Sequence, residues 1–192
     1  MKEMKILEKK NNKKAQIKPL FSHSIYLIGF MGCGKSTVAS YLSDLLVLDM
    51  VELDELLAEK EGLSIADIFS QYGEEYFRDQ ESKLIMDLEG VTQRIVSCGG
   101  GAVLREANVK SMKQNGRVVL LTASPQTIYE RVKNTAERPL LNDNMSVEHI
   151  SELIERRREK YERAADLVVT TDDKSIPEIC QEIMDKMTEL EG

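Results

Sequence analysis

The segment Gly29–Thr37 constrains the fold of this chain more than any other. It fits the pattern G-x-x-x-x-G-K-[ST], whose glycines let the backbone curl so that successive N–H groups point at phosphate oxygens. The apolar run Ser24–Ile28 precedes it and predicts a buried strand, and residues 38–46 follow with helical spacing. A helix N-terminus adds a favourable field for anions. The context therefore favours a phosphate-binding loop over a glycine turn without a ligand.

The side chains of this loop have distinct expected tasks. Lys35 supplies a cation for the outer phosphates, and Ser36 can hold a magnesium ion. The chain has three cysteines without paired or metal-ligand spacing, which is typical of a reducing cytoplasm, and Cys33 is interpreted as a small filler residue. The expected phosphate-binding residues are Gly32, Cys33, Gly34, Lys35, Ser36 and Thr37.

Length and charge limit the class of protein. A chain of 192 residues with 42% hydrophobic content suits a single domain with a real core. We expect it to be cytoplasmic and without a membrane partner, since no run is long enough to span a bilayer and no secretory signal is visible. The net charge of −7 argues against a general nucleic-acid binder.

The charge is unevenly distributed along the chain. Residues 1–20 carry seven lysines and two glutamates, a net charge of +5, so the remainder carries −12. We predict that residues 1–20 form a basic, disordered N-terminal tail ahead of a single domain at 21–192.

Strand and helix patterns alternate along that domain. Further strands are predicted at 46–53, 94–98, 117–122 and 166–170, with helical patterns between them and after the last, and a long polar loop at 134–146. Five strands separated by helices predict an α/β fold, a five-stranded parallel sheet with helices on both faces.

Local signals predict where some of the helices begin and end. Residues Ser64–Asp67 have the form of a capping box that opens a helix, and Gly73 is expected to break the helical pattern that follows. Residues 147–164 are predicted to form a highly charged helix.

Polar groups follow two of the predicted strands, where open parallel sheets place their ligands. Glu52 and Asp54 end the second strand, and strand alternation would point both toward the phosphate loop. One would then reach a metal and the other a substrate hydroxyl, although such a pair is equally typical of a helix start. Gly99–Gly101 ends the third strand, and three successive glycines indicate that something approaches the backbone closely, such as a substrate.

Several arginines are candidates for binding anions. Arg78 lies among acidic residues of one helix and forms either a surface ion pair or part of a site. Arg156–Arg158 lies on another helix, where successive residues diverge by about 100°, so at most one or two of the three face a pocket. Arg138, in the long loop, is either a lid cation or an ordinary loop charge.

Taken together, these features resemble the shikimate kinase family from about Ile25 to Thr170. The order and spacing of the motifs are specific. They are Gly32–Thr37, Glu52–Asp54, Ser64–Phe69, Glu75–Arg78, Gly99–Val103, Arg138–Leu141, and Arg157 four residues before Tyr161.

The resemblance implies a P-loop fold like that of nucleoside monophosphate kinases, with a mobile lid at about 134–146. It implies a monomeric kinase that uses ATP and Mg²⁺. The enzyme would phosphorylate the 3-hydroxyl of shikimate, a step toward chorismate and the aromatic amino acids. Asp54 would hold and activate that hydroxyl, and Arg78 and Arg157 would bind the shikimate carboxylate with forked guanidinium groups.

The remaining roles also come from the resemblance. Gly99, Gly100 and Gly101 would meet the substrate, with Gly100 contacting it through its backbone. Lys35 and Arg138 would act on the transferring phosphates, Arg138 from the lid. Ser36 and Glu52 would bind magnesium, and Arg131 and Lys174 would lie near the adenine.

Two positions depart from the family pattern. Glu52 stands where an aspartate is usual, which leaves open whether it reaches magnesium directly or through a water. Glu159 replaces a proline between Arg157 and Tyr161. The alternative hypotheses are a small-molecule kinase for another acceptor, such as gluconate or a nucleoside monophosphate, and a non-catalytic relative that binds or regulates.

Overall fold

The computed structural model describes residues 21–91, 93–133 and 146–191. The predicted basic tail lies outside the described residues, and so does the predicted lid up to residue 145, with Arg138. No described helix has the length and apolar character needed to cross a membrane.

Strands and helices alternate along the described chain. The strands are β1 (Ser24–Ile28), β2 (Asp49–Glu52), β3 (Arg94–Ser97), β4 (Gly116–Thr122) and β5 (Leu167–Thr170). The helices are α1 (Lys35–Leu46), α2 (Leu53–Glu61), α3 (Ile65–Asp87), α4 (Glu106–Asn115), α5 (Pro125–Val132), α6 (Val147–Ala164) and α7 (Ile176–Glu191). The strands form one parallel sheet in the order β2-β3-β1-β4-β5, which confirms the predicted α/β class.

Both faces of the sheet are covered, as the uninterrupted apolar strands predict. Side chains alternate along β1, so Ile25 and Leu27 join a core formed with α1 and α7. Tyr26 and Ile28 point the other way, into a second core formed with α2, α3, α4 and α6. The central strand therefore separates two cores, one on each face of the sheet.

Local sequence signals set several helix ends. Ser64 caps α3, where its hydroxyl accepts from the Asp67 N–H at 3.1 Å, as the predicted capping box requires. Ser124 caps α5 in the same way, ahead of Pro125 in the first turn. Gly73 interrupts α3 with φ 81° and ψ 172°, at the point where the sequence predicts a break.

The prediction for the second strand was too long. Helix α1 continues to Leu46, and Val47 ends it in the left-handed conformation with φ 57°. Strand β2 covers only Asp49–Glu52, and α2 begins at Leu53. Asp54 thus lies in the first turn of a helix, so strand alternation was the wrong reason for expecting it near Glu52, although both residues line the same cavity.

Candidate active site

The carboxyl ends of the strands surround a cavity of about 750 Å³. Predicted site residues from every part of the sequence line this cavity. They are Gly32, Gly34, Lys35, Ser36, Thr37, Glu52, Asp54, Arg78, Gly99, Gly100, Gly101, Arg131 and Arg157. Cys33 is fully buried beneath the loop, and Lys174 is not among the lining residues but pairs with Glu182 of α7.

The phosphate loop curls between β1 and α1 as predicted. Gly34 precedes α1 with φ 99°, a conformation that residues with a Cβ rarely adopt. Gly32 packs against the end of α5, because a Cβ there would lie 2.7 Å from Cγ1 of Val132. The Lys35 ammonium group donates to the carbonyl oxygens of Gly29 and Phe30 at 3.0 and 3.1 Å. The cation is therefore held at the loop, next to the space in which phosphates would bind.

Arg131 reaches the same loop from α5. Its Nη1 atom donates to the Gly32 carbonyl oxygen at 3.3 Å and to the Thr171 hydroxyl at 2.9 Å, and its Nη2 atom donates to the Thr171 carbonyl oxygen at 3.1 Å. The guanidinium group thus lies flat against the outer side of the loop, at the edge of the cavity.

An oxygen-rich corner lies between β2, β3 and the start of α1. Glu52 lines the cavity and pairs in register with Ser97 of the neighbouring strand. The Oε2 atom of Glu52 and the Ser97 hydroxyl are buried without hydrogen-bond partners. Burial raises the pKa of Glu52, while the nearby hydroxyls of Ser36 and Ser97 lower it.

This corner fits a hard divalent cation. Carboxylate and hydroxyl oxygens are the ligands that Mg²⁺ accepts, and Mg²⁺ at a phosphate site takes only one or two of them from the protein. The described residues contain no group of three or more acidic, histidine or cysteine side chains that would form a complete protein cage. Ser36 and Glu52 are accordingly the residues that could hold a metal bound to nucleotide phosphates.

Arg78 is a buried residue rather than part of a surface ion pair. Its side chain is 8% exposed, and its Nη1 atom donates to Oε2 of Glu81 at 2.9 Å. Its Nη2 atom donates to the half-exposed Glu74 at 3.2 Å. The guanidinium group is therefore fixed in the cavity wall, where it can offer its remaining surface to an anion.

The glycine triplet is explained largely by the neighbouring side chains. A Cβ on Gly101 would lie 2.3 Å from Cζ of Arg78. A Cβ on Gly99 would lie 2.6 Å from Oε1 of Glu81 and 2.7 Å from Oδ1 of Asp54. At Gly100 the nearest atom would be 3.6 Å away, an ordinary contact. A side chain at Gly99 or Gly101 would thus displace the charged groups of the cavity wall, even without a substrate.

Glu81 is a buried partner of the site residue Arg78 that the sequence analysis missed. It is 1% exposed, and its Oε1 atom has no hydrogen-bond partner. Burial raises its pKa, Arg78 lowers it, and the nearby Asp54 raises it again. The only signal in the sequence was its position three residues after Arg78, which is also the spacing of ordinary solvated helix pairs.

Helix α6 delivers one arginine of the triplet to the cavity. Arg157 lines it and approaches the Gly100 carbonyl oxygen at 3.5 Å, while Arg156 and Arg158 are exposed and pair with glutamates of their own helix. This confirms that the three cannot share a direction. Tyr161, one turn later, donates its hydroxyl to the same Gly100 oxygen, and burial raises the pKa of Tyr161 to about 12.

Glu159, which stands where the family pattern has a proline, does not interrupt α6. Glu159 is exposed and lies inside α6, which is continuous from Val147 to Ala164. The helix therefore presents Arg157 and Tyr161 from the same face, as the four-residue spacing predicts.

The family model and the curated relatives agree on one family. The family model described as shikimate kinase matches residues 31–188. A shikimate kinase of Dehalococcoides mccartyi is 41% identical over 88% of this chain and 96% of that protein. One from a Sulfurihydrogenibium species is 43% identical over 85% of this chain and 97% of that protein. Among solved structures, the shikimate kinase of Acinetobacter baumannii in complex with shikimate superposes with a TM-score of 0.83 at 28% identity, covering 88% of this chain and 94% of that one.

Proposed function

Because the chain belongs to the shikimate kinase family, we propose that it transfers the γ-phosphate of ATP to the 3-hydroxyl of shikimate. The products are ADP and shikimate 3-phosphate. The chain is an ATP-dependent small-molecule kinase, as its family and relatives are.

One observation supports this reaction above the others. The buried Arg78 and the loop lysine Lys35 line one cavity, with Asp54 between the phosphate loop and the glycine triplet. Phosphoryl transfer needs a phosphate cradle, an oriented nucleophile and cations over the developing charge, and little covalent chemistry from the protein. A fixed guanidinium group facing the acceptor side suits an acceptor that carries a carboxylate.

The proposed roles of the acceptor-side residues follow from their positions. Asp54 accepts a hydrogen bond from the 3-hydroxyl and orients that oxygen toward the γ-phosphate. Arg78 and Arg157 bind the carboxylate of shikimate from α3 and α6. The Gly100 backbone lies between them, held by the Tyr161 hydroxyl.

The nucleotide-side residues neutralise and shield the phosphates. Lys35 leaves the loop carbonyls and binds the outer phosphate oxygens. Arg138, which lies outside the described residues, adds a second cation as the segment around it closes and excludes water. Arg131 borders the nucleoside.

Ser36 and Glu52 are the residues that would hold Mg²⁺. Mg²⁺ held there would supply positive charge that neutralises the phosphates of ATP. Oε2 of Glu52, which is buried without a hydrogen-bond partner among the described residues, is the atom that could face such an ion.

The test is ADP release measured with shikimate, gluconate and nucleoside monophosphates, each with and without Mg²⁺. We expect activity on shikimate only, and only with the metal. Activity on gluconate or a nucleotide instead would show that the acceptor is not shikimate. Inactivity on all of them would favour a non-catalytic binding role.

A variant at Asp54 tests the role of that carboxylate. Asp54→Asn should lower kcat at least about 100-fold, the scale of lost acid–base and positioning catalysis, and leave ADP binding within about twofold. Asp87→Asn, which alters an exposed carboxylate paired with Lys60, is the matched control and should change neither quantity. Full activity of Asp54→Asn would refute the assignment.

A further inference from the structure

The phosphate loop has a second set of hydrogen-bonding groups, the carbonyl oxygens on its outer side. When successive N–H groups of a loop converge on an anion, the carbonyl groups of the same residues must point away from it. Carbonyl oxygens turned into protein need donors there. In this chain Arg131 donates to Gly32 and Thr171 donates to Cys33, while Lys35 donates to Gly29 and Phe30 from within the cavity.

Thr171 connects more elements than any other of these donors. It follows β5, is 1% exposed, and donates its hydroxyl to the Cys33 carbonyl oxygen at 3.1 Å. The same hydroxyl oxygen accepts from Nη1 of Arg131 at 2.9 Å. Its backbone N–H donates to the Thr122 carbonyl oxygen of β4 at 2.8 Å, and its own carbonyl oxygen accepts from Nη2 of Arg131. The edge of the sheet, the loop and α5 thus meet at one side chain.

Thr171 differs from Lys35 in what happens on binding. Lys35 lines the cavity, so its ammonium group is free to exchange the loop carbonyls for phosphate oxygens. Thr171 is buried behind the loop and is not among the cavity-lining residues, so it keeps its contacts whether or not the cavity is filled. It is the group that can hold the loop in the same shape before and after a nucleotide arrives.

We propose that Thr171 is a positioning residue that preorganises the phosphate loop for polyphosphate. Its hydroxyl fixes the Cys33 carbonyl oxygen outward, and this turns the neighbouring N–H group of Gly34 toward the phosphates. A ligand pays less to order a loop that is already shaped, so the contribution of Thr171 appears as affinity for the phosphate chain itself. The inference rests on the proposed nucleotide binding and needs no particular acceptor.

Isothermal titration with ADP and with inorganic tripolyphosphate tests it. Thr171→Val removes the hydroxyl at nearly constant shape, and we expect both ligands to bind more weakly by the same factor, about threefold to tenfold, the scale of one net hydrogen bond. Thr171→Ser keeps the hydroxyl and should stay within about twofold of the unchanged protein. Thr170→Val is the matched control, since the side chain of the neighbouring Thr170 is exposed and hydrogen-bonds to Asp172.

Steady-state kinetics supplies a second readout. In Thr171→Val the KM for ATP should rise by the same factor as the ADP dissociation constant, while kcat and the KM for shikimate stay within about twofold. A purely structural defect would lower kcat and the active fraction instead.

Each other outcome has a definite meaning. The proposal is overturned if Thr171→Val binds both ligands with the affinities of the wild-type protein. It is also overturned if Thr171→Ser weakens binding as much as Thr171→Val does, because the effect would then belong to the methyl group. Weaker ADP with unchanged tripolyphosphate also overturns it, because Thr171 would then act on the nucleoside through Arg131. Should Thr171→Val not fold, Thr171→Cys compared with Thr171→Ser gives the same test at matched shape. If the wild-type protein binds no ADP, that result refutes the proposed function and not this inference.

Discussion

Gly101→Ala should disable the acceptor side of the cavity while leaving the nucleotide side intact. The added Cβ would lie 2.3 Å from both Cζ and Nη2 of Arg78 and 2.4 Å from Nη1. Carbon atoms in ordinary contact are about 3.5–4.0 Å apart, so the guanidinium group must withdraw by more than about 1 Å. The side chain of Arg78 is 8% exposed and is paired with Glu81 and Glu74, so moving it away from the added methyl group disturbs these ion pairs.

The size of the effect follows from what Arg78 contacts. Withdrawal separates it from Glu81, a buried carboxylate, and breaking one side of such a pair costs about 3–5 kcal/mol. We expect about 3 kcal/mol lost from the free energy of unfolding, the low end, because Arg78 remains attached and can still reach Glu74. Losing a charge-assisted contact to the substrate is worth about 1.5–3 kcal/mol, so the KM for shikimate should rise about 10-fold to 150-fold.

A double-mutant cycle with Arg78→Ala is the decisive assay. Urea unfolding gives the free energies of the two single variants and the double variant, and titration gives their ADP affinities. In the Arg78→Ala background the new methyl group meets no guanidinium, so Gly101→Ala should cost less than about 0.5 kcal/mol there. Equal costs in both backgrounds, or an unchanged KM for shikimate in the single variant, would refute the steric argument. ADP affinity should stay within about twofold throughout.

Three further substitutions test other parts of the structure. Burial raises the pKa of Glu52, so its ionisation lowers the free energy of unfolding as pH rises above the ordinary glutamate value. By urea unfolding, Glu52→Gln should be more stable than the wild-type protein at pH 8 and equally stable below about pH 4. In the ADP complex the variant should bind Mn²⁺ more weakly, as measured by electron paramagnetic resonance. Tyr161→Phe leaves the Gly100 carbonyl oxygen with only the longer contact from Arg157, and it should cost about 0.5–1.5 kcal/mol in the same unfolding assay, with a raised KM for shikimate. Burial lowers the pKa of His23, so the fold should lose stability as pH falls below about 6.5, and His23→Gln should show a flatter profile; identical profiles would contradict this.

The features that sequence predicted well are set within a few residues. The strand, loop and helix around Gly34, the cap at Ser64 and the break at Gly73 each depend on local backbone preferences, which the residue type reports directly. Helix α6 was predicted with its observed bounds because a run of charged helix-forming residues directly follows the polar loop.

The features that sequence predicted poorly depend on contacts between distant segments. A short apolar run does not distinguish a helix end from a strand, so the start of β2 was placed in α1. The burial of Glu81 and the crowding at Gly99 and Gly101 arise only when α3 packs against the end of β3. No pattern within one segment reports the volume left around a glycine by another.

The two cores on opposite faces of the sheet have a consequence for how such a protein can evolve. Helix α1, which carries the end of the phosphate loop, rests on one core, and α2, α3 and α6, which carry the acceptor side, rest on the other. Substitutions that share no contacts have nearly additive effects. Mutations in one core can therefore change which acceptor is bound, while the nucleotide-binding residues supported by the other core keep their positions.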